Sequence, residues 1–420
     1  MLSSTVVLSA LLPLCSAYSA QHLRSDSGIA GPPLEVEHLY NDQWPTGITV
    51  SRSGRKFSNY PAGLDANNTN NGNNHRYQVA ELIGVDRERP YPNAEINNPP
   101  GGAINYTTNP PTGANYQDYL IGVQSVVLDS QDRLWILDTG RALTEDGRLV
   151  LASPGGPKLV AVDISTNTVI RTIVFPPTVA YPDSYLNDVR FDLRASLSSS
   201  SGNGIAYITD SSAEGRNGIV VVDLGTGQSW RHLDGTAPVH AERGFVPYVW
   251  GQPLYYTPGP GLALTTVPLG SDGIALSADG ADLYFGPVGG RSLYSVPSAL
   301  LRDRSAASEL RAQAALQHRG DRGVSDGFET DSNGFIYAGN MEQNEVGFYN
   351  PANASMALFV RDPRISWVDT LSVASDGYLY FTDNQLAFSQ AFYPGTDRRT
   401  RPFVLFRARL PNNGTRVTLL

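Results

Sequence analysis

The chain has 420 residues, more than one ordinary hydrophobic core supports, so it is either several domains or a repeat architecture. Its 41 glycines, 29 prolines and 21 tyrosines, with only 17% charged residues, suit a turn-rich all-β protein rather than a helical or disordered one. A formal net charge of -9 and a pI near 5.2 exclude the basic footprint of a nucleic-acid binder and a polybasic membrane surface.

In chain order, Leu2 to Leu14 is an apolar run followed by Cys15-Ser16-Ala17. That is the length and small-residue ending of a signal peptide, so residues 1–17 are expected to be cleaved and the protein secreted. The run is too short to span a bilayer, and no later stretch reaches about 18 apolar residues, so no membrane span is expected. Cys15 is the only cysteine; a mature chain lacks thiol catalysis, thiolate metal sites and disulfides. Residues 18–33 are polar, end in Gly31-Pro32-Pro33 and read as a flexible leader. Leu34 to Tyr40 alternates like a strand. Residues 61–117, rich in Asn, Pro and Gly, read as a loop insertion after the first repeat. Asn67, Asn105, Asn353 and Asn413 each open an N-x-S/T sequon, which together with the leader points to glycosylation.

One plan recurs along the chain. Gln124 to Gly140 reads as two short strands around a polar turn, and the plan returns at Thr46 to Asn59, Asn187 to Asp210, Asp272 to Pro287, Asp326 to Asn340 and Asp369 to Asp383. The second strands superpose as Trp135-Ile136-Leu137-Asp138, Tyr207-Ile208-Thr209-Asp210, Tyr284-Phe285-Gly286-Pro287, Tyr337-Ala338-Gly339-Asn340 and Tyr380-Phe381-Thr382-Asp383, with Lys56-Phe57-Ser58-Asn59 the weakest copy. A hairpin cannot bury both faces alone, so repeated hairpins must stack; radial stacking gives a β-propeller, here six-bladed over residues 34–420. Outer strands follow at Lys158 to Ile164, Gly218 to Asp223, Ser292 to Val296 and Glu345 to Tyr349. Ala306 to Gln317 reads as a helix between blades four and five. Phe403 to Leu410 is the last strand, expected to share a sheet with the N-terminal one so that the ring closes.

In such a ring the residues just before each innermost strand surround one mouth of the central channel. That places Thr46, Gln124, Asn187, Asp272, Asp326 and Asp369 together, with Asn59, Asp138, Asp210, Asn340 and Asp383 in loops on the same face. Each has a plainer reading as a turn residue bonding its own backbone. Carboxylates that close either hold a cation or raise one another's pKa; calcium on Asn187, Asp272 and Asp326 is the conditional metal site, and no cofactor is otherwise expected. Aromatic residues cluster nearby: Phe245 to Tyr256, holding Tyr248, Trp250, Tyr255 and Tyr256, then Trp367, Phe388, Phe392 and Tyr393. They suit an apolar small-molecule pocket, with core packing as the alternative.

Leu134-Trp135-Ile136-Leu137-Asp138-Thr139-Gly140, Leu186-Asn187-Asp188-Val189, Gly218 to Asp223 with Ser229-Trp230-Arg231, Asp272 to Leu276, and Leu293-Tyr294-Ser295-Val296-Pro297 resemble the major royal jelly protein and yellow protein family across roughly residues 120 to 385. The resemblance implies a secreted six-bladed propeller, with members that bind small aromatic amines. A looser resemblance, in fold and secreted character, is to fungal propeller enzymes that catalyse cofactor-free hetero-Diels–Alder couplings. The resulting expectation is a monomer that binds a small apolar or aromatic molecule and couples or cyclises it. Arg141, His240, Tyr248 and Tyr256 would be carbonyl-polarising donors, and Asp369 would assist loss of water. Thr46, Gln124, Asn187, Trp250, Tyr255, Asn340, Trp367, Asp383 and Phe388 would line the ligand site. The alternatives are a non-catalytic yellow-type binder and a metal-dependent lactonase. The lactonase pattern has a departure: Thr46 stands where those enzymes carry a glutamate.

Overall fold

The computed structural model describes residues 26–257 and 262–420. The proposed signal peptide and the leader up to residue 25 lie outside the described residues. Residues 26–33 run beside the fifth blade, where Ala30 and Arg361 exchange backbone hydrogen bonds of 3.0 and 2.9 Å.

Six four-stranded antiparallel sheets form the blades of a β-propeller. Their innermost strands are Ile48–Val50, Val123–Leu128, Leu186–Asp192, Ser271–Leu276, Phe328–Thr330 and Val368–Val373, and each packs against its neighbours around the ring. Several are buried along their whole length, which explains why they carry apolar or hydrogen-bonded polar residues on both faces instead of a polar alternation. The second strands, Lys56–Asn59, Arg133–Asp138, Ile205–Asp210, Asp282–Pro287, Ile336–Asn340 and Tyr378–Asp383, follow after tight turns. Side chains build those turns: Asp129 Oδ1 accepts from the amides of Gln131 and Arg133, and Asp331 Oδ1 from those of Asn333 and Phe335. Gly334 and Gly377 supply the left-handed residue that the fifth and sixth turns require.

The last blade has the order Glu35–Tyr40, Phe403–Arg409, Tyr378–Asp383, Val368–Val373 from rim to axis. The N-terminal strand therefore completes the C-terminal sheet, as the sequence suggests, and leaves the ring without an open edge between its ends.

Two expectations need correction. Residues 61–117 are not loop throughout, because Val79–Leu82 and Glu88–Pro90 are the third and fourth strands of blade one. The helix expected between blades four and five lies inside blade four, as Ser308–Ala314 between the strands Ser292–Pro297 and Gln317–Asp321. It follows a second short helix, Ser298–Arg302, and Ala312 and Leu301 pack into one core cluster. Among the described residues no helix is long and apolar enough to cross a membrane.

The segment after Phe403–Arg409 crosses the far end of the channel as a strap. Ser332 N–H donates to Thr415 O in blade five at 2.8 Å, Arg416 pairs with Asp132 of blade two at 3.0 Å, and Leu193 N–H of blade three donates to Leu419 O at 3.0 Å. Above it lies a cavity of about 70 Å³ lined by residues of all six innermost strands, including Thr49, Arg190, Glu329 and Ser372, and floored by Arg416, Val417 and Leu419.

Candidate functional site at the channel mouth

Three of the second-strand ends, Asp138, Asp210 and Asp383, follow one rule. Asp138 accepts from the backbone N–H groups of Ile121, Gly122 and Gly140 and from buried Lys158 Nζ at 2.9 Å. Asp210 accepts from Tyr185 N–H and from Arg231 at 2.9 Å, and Asp383 from the amides of Ser366 and Trp367 and from Ser366 Oγ. Each carboxylate thus anchors the chain as it enters the innermost strand of its own blade. Asn59 does this for the next blade, donating to Thr46 Oγ1, Val123 O and Gln124 O. Burial pushes Asp383 up to about 6 even though these donors favour its ionised form. Asn340 instead donates to Glu345 at 2.9 Å, and its Oδ1 is buried without a partner.

The mouth residues do come together. Asn187 Nδ2 donates to Asp272 Oδ2 at 2.6 Å and to Ser211 Oγ at 3.0 Å. Asp272 and Asp326 are hydrogen-bonded to each other, and two carboxyls make that contact only with a proton between them. Asp326 receives a second bond, from Trp367 Nε1 at 2.7 Å, and lies in the field of buried Arg322. Asp369 accepts from Asn384 Nδ2 at 2.6 Å. Burial, reinforced by the Asp326 charge, holds Asp272 and Asp369 well above the usual carboxylate range; burial also raises Asp326, opposed by its two donors. Around them Tyr185 OH donates to Gln124 Oε1 at 2.9 Å, and Trp44 Nε1 to Asn384 O at 2.7 Å. Gly63 is required beside Tyr185, since a Cβ there would stand 2.5 Å from the phenol oxygen. One tier below, Asp188 pairs with Arg190 at 2.9 Å, and Arg190 reaches across to Phe328 O.

The aromatic residues divide. Trp367 is fully buried, with its ring 5.8 Å from Phe392, which meets Tyr256 edge-on at 5.9 Å; this line of rings runs from Asp326 to partly buried Tyr256. Backbone pairing of Thr257 with Ala391 and of Tyr393 with Tyr255 joins the segment before blade four to the last blade's loop. Tyr248 and Trp250 lie outside this group, half-exposed on the hairpin Tyr248–Val249 and Gln252–Pro253. Phe388 is partly buried beneath Arg398.

Arg141 is buried and held by Val150 O, Asp183 O and Glu214, while His240 bonds to Asn217 at 2.8 Å; neither donates into the carboxyl group. The residues missed from sequence are Tyr185, Asn384, Trp44, Asp188, Arg190 and Arg322. Asp188 and Arg190 carried a signal, two charges at alternate positions of an innermost strand that must face the channel.

The donor set does not fit a resident metal. Asn187 turns its amide nitrogen to Asp272, Asp272 bonds to Asp326, Thr46 is engaged by Asn59, and among the described residues no group of three or more His, Cys, Asp or Glu is placed to hold an ion.

A family model described as major royal jelly protein matches residues 121–412. Major royal jelly protein 7 of Apis mellifera is 25% identical over 238 residues, 55% of this chain and 47% of its own length. Major royal jelly protein 5 of the same species is 25% identical over 247 residues, 56% of this chain and 36% of its own length. The chain thus spans about half or less of the length of these curated relatives. A solved luciferin-regenerating enzyme aligns over 92% of this chain and 98% of its own, at 9% identity and a TM-score of 0.48.

Proposed function

The chain belongs to the major royal jelly protein family, and from that membership and the channel mouth we propose a secreted propeller that couples or cyclises a small, largely apolar molecule without a cofactor, by a hetero-Diels–Alder-type reaction. The observation that carries the reading is the group of buried carboxyls, the Asp272–Asp326 pair and Asp369, held above the usual carboxylate range beside the Trp367, Phe392 and Tyr256 rings. A neutral carboxyl in a desolvated site donates a hydrogen bond to a carbonyl oxygen and so withdraws electrons from a conjugated alkene, while apolar walls hold the partner in reacting geometry. Asp369, also held protonated by burial, would donate to a departing hydroxyl. The apolar run Leu2 to Leu14 supports secretion, and Asn67, Asn353 and Asn413, all exposed, are the sequons open to glycosylation; Asn105 is half-buried.

The test is incubation of metal-free protein with paired α,β-unsaturated carbonyl compounds and electron-rich alkenes. Turnover that Asp272→Asn removes supports the reading, whereas saturable binding with no product would replace it with a non-catalytic small-ligand binder. That second reading is favoured by one feature: the carboxyl pair, Asn187 and Asn384 already have partners within the protein. The lactonase reading lacks a donor set.

A further inference from the structure

The strand that closes the ring is also stitched to the next blade. From Glu35–Tyr40, Leu39 N–H donates to Val85 O at 2.7 Å, Tyr40 OH bonds Ser58 Oγ at 2.7 Å, and Glu37 pairs with Lys56 at 2.9 Å. In the middle of these contacts sits His38, 1% exposed. Its Nδ1 is 2.7 Å from Gly84 O and its Nε2 is 3.1 Å from Glu88 Oε1. A carbonyl and a carboxylate can only accept, and a neutral imidazole has a single N–H. Making both contacts therefore takes one more proton than a neutral ring and a carboxylate hold between them, whichever atom of the pair carries it.

The surroundings leave that proton nowhere else to go. Glu88 Oε2 already accepts from Tyr77 OH at 2.7 Å. The Tyr40 ring stands edge-on to His38 at 4.6 Å, and the buried Tyr60 hydroxyl has no partner. Burial first, and the Glu88 charge second, hold the Tyr60 and Tyr77 phenols above their ordinary value, so they stay neutral while an imidazole titrates. Lys56 and Arg407 are engaged with Glu37 and Glu35, and among the described residues His38 is the only cationic side chain at ion-pair distance from Glu88.

We propose that His38 and Glu88 form a proton-operated latch on the seam between the ring-closing strand and the first blade. The seam is fastened while the bridging proton is bound and loosens when it is lost. The dependence follows from the contact geometry, which both ring nitrogens satisfy only with that proton present.

The test is hydrogen exchange read by peptide mass, at about pH 5.5 and about pH 8.5, spanning the range in which an imidazole exchanges its proton and corrected for the chemical rate. Peptides over 35–40 and 84–90 should lose protection on going to the higher pH, by up to about tenfold per pH unit for one linked proton, while peptides of blade three do not. Glu88→Gln is the discriminating variant. Its amide can donate to Nε2 of a neutral ring and accept from Tyr77, so the seam should stay closed at both values. Uniform loss of protection over all blades, no loss at the seam, or an unchanged pH response in Glu88→Gln would each overturn the latch.

Discussion

Tryptophans 250 and 367 are both candidate pocket walls in the sequence, yet one is 53% exposed and the other fully buried. Trp367→Ala should therefore cost about 3–5 kcal/mol in urea denaturation, as a large buried ring lost from the core. Trp367→Phe should cost about 1.5–3 kcal/mol, because Asp326 loses a charge-assisted donor. Trp250→Ala should stay within about 0.5 kcal/mol. The mouth carboxyls were legible because the repeat superposes Asp272, Asp326 and Asp369. Their partners were not, because Tyr185, Asn384 and Trp44 lie between repeats and reach the mouth only through loop paths that no periodicity encodes.

Elements were legible in proportion to how strictly they repeat. The hairpins with an Asp-anchored turn were readable from that turn chemistry alone, whereas Val79–Leu82 and Glu88–Pro90 are short and sit among Asn and Pro. The segment after Arg409 reads Leu410-Pro411-Asn412-Asn413-Gly414, a turn signature that gives no hint of the strap beyond it. In that strap Arg416 pairs with Asp132 and donates to the carbonyls of Leu128 and Asp129. Arg416→Met keeps most of the stem and removes those bonds, and should lower stability by about 2 kcal/mol, the scale of hydrogen bonds to a charged group. Equilibrium unfolding with an unchanged m-value checks it.

For the whole molecule, the raised mouth carboxyls are a source of pH dependence: these groups hold protons in the folded protein that they release in the unfolded chain. Stability from this source is complete at acid pH and falls as pH rises through the folded values, with Asp383 contributing up to about pH 6. Asp272→Asn, whose amide donates to Asp326 without an added proton, should flatten that slope in melting curves; a slope equal to the native one would mean that the pair holds no proton. Melting should be the same in calcium and in chelator, since the mouth offers no cation a set of free oxygens. Val417 and Leu419 close over the small cavity that touches all six innermost strands. A tail anchored to blades two, three and five thus acts as a belt, and trimming it should loosen the blades together rather than one at a time.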